Sequence, residues 1–362
     1  MLSSLFGKKP ASHAARITPA NVELRVGSKE TLLQAALNQG VAFPHDCRAG
    51  GCGACKCRLV KGKVRELTDK SYILSAEELR DNYVLACQSI PQSDVEVDVQ
   101  LQDAGIPVQT LQSPARITRL APLTHDILHV ELTLDHALPF TPGQYCDLSP
   151  STGTAAGVKR SYSFANVPEP NGTSRNAEFF IRKVPGGRFT EWLFNEARVG
   201  DTLEVTAPFG EFVLRESTAP ILCIAGGSGL APVLSLLQGA LRSLPRPREV
   251  TLVFGARRQQ DLYMLGAIDA LRREWPVRFD FVPILADEPM AGTWQGRRGM
   301  IVDHLADVLG ESLGDQQAYL CGPPGMIDSC VSGLQAGGVP ASEVSFDKFL
   351  DQSHLAASKK VA

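Results

Sequence analysis

Apolar and polar residues alternate in "NYVLACQSI" and "DVEVDVQL", and the same texture returns in "HVELTL", "EFFIRKV" and "DTLEVTA" between about Arg116 and Glu216. A period of two puts successive side chains on opposite faces of a strand, so both regions read as sheet. In the second region Pro/Gly turns separate many short runs, the signature of a closed antiparallel barrel. After Thr218 the pattern changes to apolar runs alternating with helical stretches: "APILCIAGGSGLAPVLSLLQGAL", "REVTLVFGARR", "FDFVPIL" and "QQAYLCGPPGMIDSCVSGLQAGG". Fully apolar strands joined through helices predict a parallel sheet built from βαβ units.

These patterns divide the chain. Residues 1–21 read as a flexible N-terminal extension and 22–108 as a small α+β domain, with a helix in "KETLLQAALNQG". A linker, 109–115, follows from Pro107 and Pro114 and from the lack of apolar period around them. The barrel is assigned to 116–217, the parallel α/β domain to 218–350 and a tail to 351–362. No stretch repeats at a solenoid period.

Composition narrows the class without naming it. The chain has 362 residues, 44% apolar and 21% charged, enough for two or three cores of ordinary globular type. A net charge of -3 offers no basic footprint for nucleic acid, and no apolar run has the length of a membrane span. The start carries no long apolar core of an export signal, and the nine cysteines are an odd number. Both point to reduced thiols in the cytoplasm.

The thiols are concentrated. "HDCRAGGCGACKCRLVKG" holds Cys47, Cys52 and Cys55 as C-x4-C-x2-C, and Cys87 stands alone further on. This is the plant-type spacing for a [2Fe-2S] cluster on four thiolates. Gly50, Gly51 and Gly53 suit a loop that wraps a cluster closely and turns its backbone N–H groups toward sulfur. Cys57, on the outgoing strand, reads as a buried structural thiol. Zinc usually takes two close-spaced pairs, which this loop lacks. A zinc-stapled interaction module stays open as the alternative and predicts a colourless protein.

The barrel carries "KRSYSFAN", in which Arg160, Tyr162 and Ser163 supply a cation for a diphosphate, a flat ring and a donor for a flavin. In "VPGGRFTEWLF", Gly186 and Gly187 precede a helix opening at Arg188, Phe189 and Thr190, whose N–H groups suit phosphate and whose Thr190 hydroxyl adds a donor. In the α/β domain, Gly226, Gly227, Ser228 and Gly229, followed by Pro232, form a glycine turn between strand and helix. Cys321, Gly322 and Pro323 form a second such turn. Turns at strand C-termini of an open sheet are where a dinucleotide binds, although either alone is also a plain tight connection. His125 and His129 have helical ligand spacing but lie in an alternating stretch, and are read as barrel surface or turn residues.

On these motifs, together with "FTPGQY" and "FDKF", the chain resembles the ferredoxin-NADP reductase superfamily fused to an N-terminal plant-type ferredoxin. That is the arrangement of reductase components of bacterial aromatic-ring, phenol and methane oxygenases. The resemblance covers about residues 22–350. It implies a β-grasp ferredoxin domain, an FAD barrel and an NAD(P) domain. It also implies that Arg160, Tyr162 and Ser163 line FAD, that Gly187 to Thr190 meet its diphosphate, and that Gly226 to Pro232 with Cys321 to Pro324 hold the nicotinamide nucleotide. Ser163 and Cys321 would shape the hydride contact, and a C-terminal aromatic, Phe349 or secondarily Phe346, would cover the flavin. Relatives end closer to that aromatic than this chain does.

The implied activity is hydride transfer from NADH to FAD, then single electrons through the cluster to an oxygenase component or its ferredoxin. A deoxysugar dehydratase, cytochrome or quinone is the alternative acceptor. Near the ribose 2′ position an acid suits NADH and an Arg suits NADPH; "FGARRQQDLYML" offers Asp261 and also Arg257 and Arg258. Asp94, Glu96, Asp98 and Asp103 read as a docking face or as the wet side of an edge strand. The protein is expected to be a cytoplasmic monomer.

Overall fold

The computed structural model describes residues 12–45, 50, 53–101 and 110–349, which fall into two compact units, 12–101 and 110–349. Cys47, Gly51, Cys52, Asp103, most of the expected extension and the expected tail lie outside the described residues.

The first unit contains β1 (His13–Thr18), β2 (Val22–Val26), α1 (Leu32–Asn38), β3 (Lys56–Lys61), β4 (Val64–Glu66), α2 (Ala76–Arg80), β5 (Tyr83–Leu85), β6 (Ser89–Pro91) and β7 (Val95–Asp98). Five strands form one sheet in the order β2-β1-β7-β3-β5, with β1 and β7 parallel and the other pairs antiparallel. Thr31 caps α1 by accepting from the Gln34 N–H at 3.2 Å. The helix then buries Leu32, Leu33, Ala35 and Ala36 against Ile17, Phe43, Val84 and Val97, giving the β-grasp arrangement.

Three expectations are corrected here. The strand β1 falls inside the expected extension, because "HAARIT" offers the core only Ala15 and Ile17 and so carries a weak apolar signal. The strand β7 lies inside the sheet, not at an edge: Asp98 pairs with Arg58 at 3.0 Å and Asp94 accepts from the Ala14 N–H at 2.8 Å. And "NYVLACQSI" is not one strand. It breaks at Ala86–Gln88 into a single 3-10 turn between β5 and β6.

The second unit opens with β8 (Leu111–Pro122), β9 (Ile127–Pro139), β10 (Tyr145–Pro150), β11 (Arg160–Ser163), β12 (Thr173–Arg182), α3 (Arg188–Asn195) and β13 (Thr202–Phe209). The six strands run β11-β10-β13-β8-β9-β12. The ends of this order meet where the Ala165 N–H donates to the Glu178 carbonyl at 2.7 Å. Inside lie Phe140, Phe164, Phe179 and Phe189, with Phe140 stacked on Phe164 at 3.9 Å. The expected linker is corrected in part, since β8 starts at Leu111. Its Pro114 pairs only with β13, so the ladder toward β9 needs no N–H there.

The remainder is β14 (Ile221–Gly226), α4 (Leu230–Ser243), β15 (Val250–Ala256), α5 (Leu265–Glu274), β16 (Phe279–Leu285), β17 (Arg297–Arg298), α6 (Leu305–Leu309), β18 (Gln317–Gly322), α7 (Pro324–Ala336) and β19 (Val344–Lys348). All pairs in the order β17-β16-β15-β14-β18-β19 are parallel. In β14, Ile221, Cys223 and Ala225 face α4 and α5, whereas Leu222 and Ile224 face α6 and α7. Burial on both faces explains the unbroken apolar run. The barrel residues Ile127, Ala165, Phe180 and Phe212 join the α4 side, so that face of the sheet looks toward the barrel.

Candidate functional site: a flavin, nucleotide and iron-sulfur assembly

The strand order reverses direction between β14 and β18, which makes the ends of those strands the switch point of the sheet. Both glycine turns sit there and touch. A Cβ placed on Gly229 would lie 2.2 Å from the Cys321 carbonyl oxygen, and one on Gly226 would lie 2.6 Å from Met326 Sδ and 2.9 Å from Pro323 Cδ. Only glycine allows this approach. Cys321 is buried on the strand, Pro323 and Pro324 open α7, and Pro232 is buried in the first turn of α4, where no N–H bond is lost. Gly227 and Ser228 are partly exposed between the two turns.

Residues that carried no sequence signal hold this turn. The Tyr263 hydroxyl donates to the Gly227 carbonyl at 2.9 Å, and burial pushes the Tyr263 pKa up, so the phenol stays a donor. Arg182, on β12 of the barrel, comes to 3.9 Å from the Cβ position of Gly227 and is held by Asp126 at 2.8 Å. Ser235 on α4 donates to the Asn166 carbonyl of the barrel at 2.6 Å, and Gly239 leaves room for Pro142. The Ser235 and Gly239 contacts lock barrel and sheet together.

On the barrel, Arg160 and Tyr162 lie on β11 with Ser163, which is buried. Arg160 is exposed, and the partly buried Tyr162 ring packs 5.1 Å from Phe189. Gly187 caps α3, and the first intrahelical bond is from the Glu191 N–H to Gly187 at 2.8 Å. The N–H groups of Arg188, Phe189 and Thr190 precede that bond, as a phosphate-binding helix start requires. The side-chain expectation for Thr190 is corrected. Its hydroxyl is buried, accepts from the Val184 N–H at 3.1 Å and reaches the carbonyls of Val184 and Gly187, so it shapes the turn. Phe189 is likewise a core residue and offers a ligand only its backbone.

The two C-terminal aromatics separate by face. Phe349 packs on the barrel side and its N–H donates to Gly322 at 2.9 Å. Phe346 packs on the opposite face with α7, under Lys348. The loop after β15 also resolves differently from its sequence. Asp261 turns inward, accepting from the Arg258 N–H at 3.0 Å with its other oxygen 3.3 Å from His125 Nδ1. Arg257 and Arg258 are exposed.

The reading of His129 as a surface residue is overturned: it is buried in β9, edge-on to Phe180. Its Nε2 stands 3.0 Å from Glu178 and 3.7 Å from Glu131. The two glutamates are cross-strand partners, a like-charge pairing that costs stability alone. Arg119, at 2.8 Å from Glu131, supplies one counter-charge and His129 Nε2 lies within hydrogen-bond distance of Glu178, so the cluster reads as a polar patch of barrel wall.

In the first unit Cys55 and Cys87 are buried side by side, with the Cys87 N–H donating to Cys55 Sγ at 3.5 Å and the Ala86 N–H to the Cys55 carbonyl at 3.0 Å. The 3-10 turn that breaks the predicted strand brings Cys87 to the loop. Gly50 and Gly53 have φ of +81° and +75°. Thr68 Oγ1, 3.2 Å from the Cβ position of Gly50, is buried and has no hydrogen-bond partner among the described residues. A backbone donor on the Cys55 sulfur and a hydroxyl with no partner among the described residues at the loop fit a sulfur-rich anionic cluster beside Cys55 and Cys87. Cys57 is fully buried beside them, and its burial, reinforced by Cys55, raises its pKa and keeps it a thiol.

Known proteins match this architecture throughout. Residues 15–92 match the 2Fe-2S iron-sulfur cluster binding domain, 114–214 the oxidoreductase FAD-binding domain and 223–332 the oxidoreductase NAD-binding domain. The chain is 40% identical over 353 residues to the xylene/toluene monooxygenase electron transfer component of Pseudomonas putida, covering 97% of each. It is 35% identical over 343 residues to the reductase component of the naphthalene 1,2-dioxygenase system of Pseudomonas putida, covering 92% of this chain and 97% of that one. The structure of Amycolatopsis cytochrome P450 reductase superposes with a TM-score of 0.74 at 32% identity, covering 93% of this chain and 98% of that one. Fold and site therefore define an NAD(P)H-dependent oxidoreductase with FAD and a [2Fe-2S] cluster. Within that class the chain belongs to the family of oxygenase reductase components, ferredoxin-NADP reductase folds that carry an N-terminal plant-type ferredoxin domain. No helix among the described residues is long and apolar enough to cross a membrane.

Proposed function

We propose that this protein draws hydride from NADH and delivers electrons singly to the oxygenase component of a bacterial hydrocarbon-oxidising system, in the cytoplasm. The similarity to the xylene/toluene monooxygenase electron transfer component, end to end at 40% identity, carries this reading. It favours an aromatic hydrocarbon as the substrate of the partner oxygenase.

When bound, FAD accepts an electron pair and the [2Fe-2S] cluster passes electrons one at a time. The chain itself supplies position and exclusion of water. In this reading Gly226 to Gly229 with Pro232, and Cys321 with Gly322 and Pro323, seat the nicotinamide nucleotide. Arg160, Tyr162, Ser163 and the N–H groups from Gly187 to Thr190 seat FAD. Cys321, Ser163 and Phe349 border the place of transfer, and the buried cores of barrel and sheet keep it dry.

NADH is favoured over NADPH by local charge balance. The arginines of the β15 loop share it with Asp261, with Glu288, which accepts from the Gln259 N–H at 2.8 Å, and with Asp287, whose N–H donates to the Arg257 carbonyl at 2.8 Å. Three carboxylates against these two guanidiniums and that of Arg298, which donates to the Pro289 carbonyl at 3.3 Å, leave no net positive charge for a 2′-phosphate. The test is an anaerobic titration of the purified holoprotein with each nucleotide. Bleaching of flavin and cluster bands by NADH at lower concentration than NADPH supports the reading. Reconstitution with a xylene/toluene oxygenase component then tests the acceptor: NADH-dependent product formation supports it, and NADH oxidation without product counts against it.

A further inference from the structure

We propose that Gln88 sets the reduction potential of the [2Fe-2S] cluster by donating its side-chain amide to the sulfur of Cys87. Gln88 is buried on the 3-10 turn Ala86–Gln88, and its Nε2 lies 3.5 Å from Cys87 Sγ, hydrogen-bond range for a sulfur acceptor. Its place is built from two sides. The Gln88 carbonyl accepts from the Leu67 N–H at 2.8 Å. On the other side its Cγ occupies the space that a side chain at position 50 would need, since a Cβ there would lie 2.7 Å away. Gly50, held at φ +81°, thus leaves the space in which the Gln88 side chain lies beside Cys87.

The physical effect has a definite sign. Reduction adds negative charge that is shared by the cluster sulfurs, and a donor to sulfur stabilises the more negative state more strongly. The amide therefore raises the potential, and burial strengthens the effect by lowering the local dielectric. A higher potential eases delivery of electrons to the cluster and makes their onward transfer less favourable. Gln88 is in this sense a positioning residue that divides the driving force between the two transfers.

The test is an EPR-monitored redox titration of the full-length holoprotein and of two variants. Gln88→Leu keeps the bulk under Gly50 and removes the donor; Gln88→Glu keeps the shape and replaces the donor by an anion. A downward shift of the cluster midpoint in both, larger for Gln88→Glu at neutral pH, with the flavin midpoint unmoved, is the expected result. Unchanged or raised cluster midpoints in variants with full cluster content overturn the proposal, because bulk alone then explains the residue. If either variant fails to hold its cluster, the wild type decides: pulsed EPR of the reduced holoprotein, labelled with 15N only at glutamine side-chain amides, must show coupling to one such nitrogen. Its absence overturns the assignment.

Discussion

Gly229 stands so close to Cys321 that any side chain at 229 would meet the Cys321 carbonyl oxygen, at 2.2 Å from its first carbon. Two loops almost a hundred residues apart in sequence thus form one continuous floor at the switch point of the parallel sheet. Gly229→Ala is expected to force these turns apart. Overpacking of this kind costs about 1–3 kcal/mol, and because the obstacle is backbone the upper end is expected. Rapid mixing with NADH should show flavin reduction slowed at least about tenfold, the loss that ~1.4 kcal/mol would produce, with FAD content retained.

Tyr263 reports on the same floor from below. Tyr263→Phe deletes one of two hydrogen bonds to the Gly227 carbonyl, which keeps the Leu230 N–H, a loss of about 1 kcal/mol. Thermal denaturation should show a modest fall in midpoint. NADH affinity, measured by titration, should weaken several-fold while the FAD spectrum stays unchanged.

Asp126 gives the barrel, through its ion pair with Arg182, a pH dependence. Burial acts to raise its pKa, but hydrogen bonding to Arg182, the Arg182 charge and the bond from Thr124 outweigh it and hold the carboxyl below its usual value. A depressed folded pKa means stabilisation present above the unfolded value, about 3.9, and lost as pH falls through the folded one. Asp126→Asn should therefore be less stable than wild type by a constant margin from neutral pH to pH ~5. That margin should close below about pH 4. Denaturant midpoints at four pH values check it.

The cysteines of the first unit should divide cleanly. Cys55→Ser and Cys87→Ser are expected to lose the reddish-brown cluster absorption while NADH still bleaches the flavin. Cys57→Ala should keep the cluster and lose only packing, about 1 kcal/mol for a small buried deletion. Iron content and the visible spectrum of each variant separate the two outcomes.

By itself the sequence determined the order of modules and their chemistry. Alternation and unbroken apolar runs are local consequences of how strands expose one face or none, so barrel and parallel sheet were both legible. The spacing of Cys47, Cys52 and Cys55 and the two glycine turns were legible because a cluster or a diphosphate requires close backbone approach within a few residues. What only the tertiary structure decided depends on contacts between distant segments. The strand β1 and the start of β8 carry too few large apolar side chains to be seen before they pair. Asp261, which reads as a ribose ligand, turns inward because the Arg258 N–H and His125 stand there. Thr190 spends its hydroxyl on Val184, and His129 is buried because Phe180 and Glu178 of the neighbouring strand cover it. Gln88 has no motif at all. Its amide meets Cys87 because the chain breaks into a 3-10 turn at that point, and because Gly50, far away in sequence, leaves the space in which it lies.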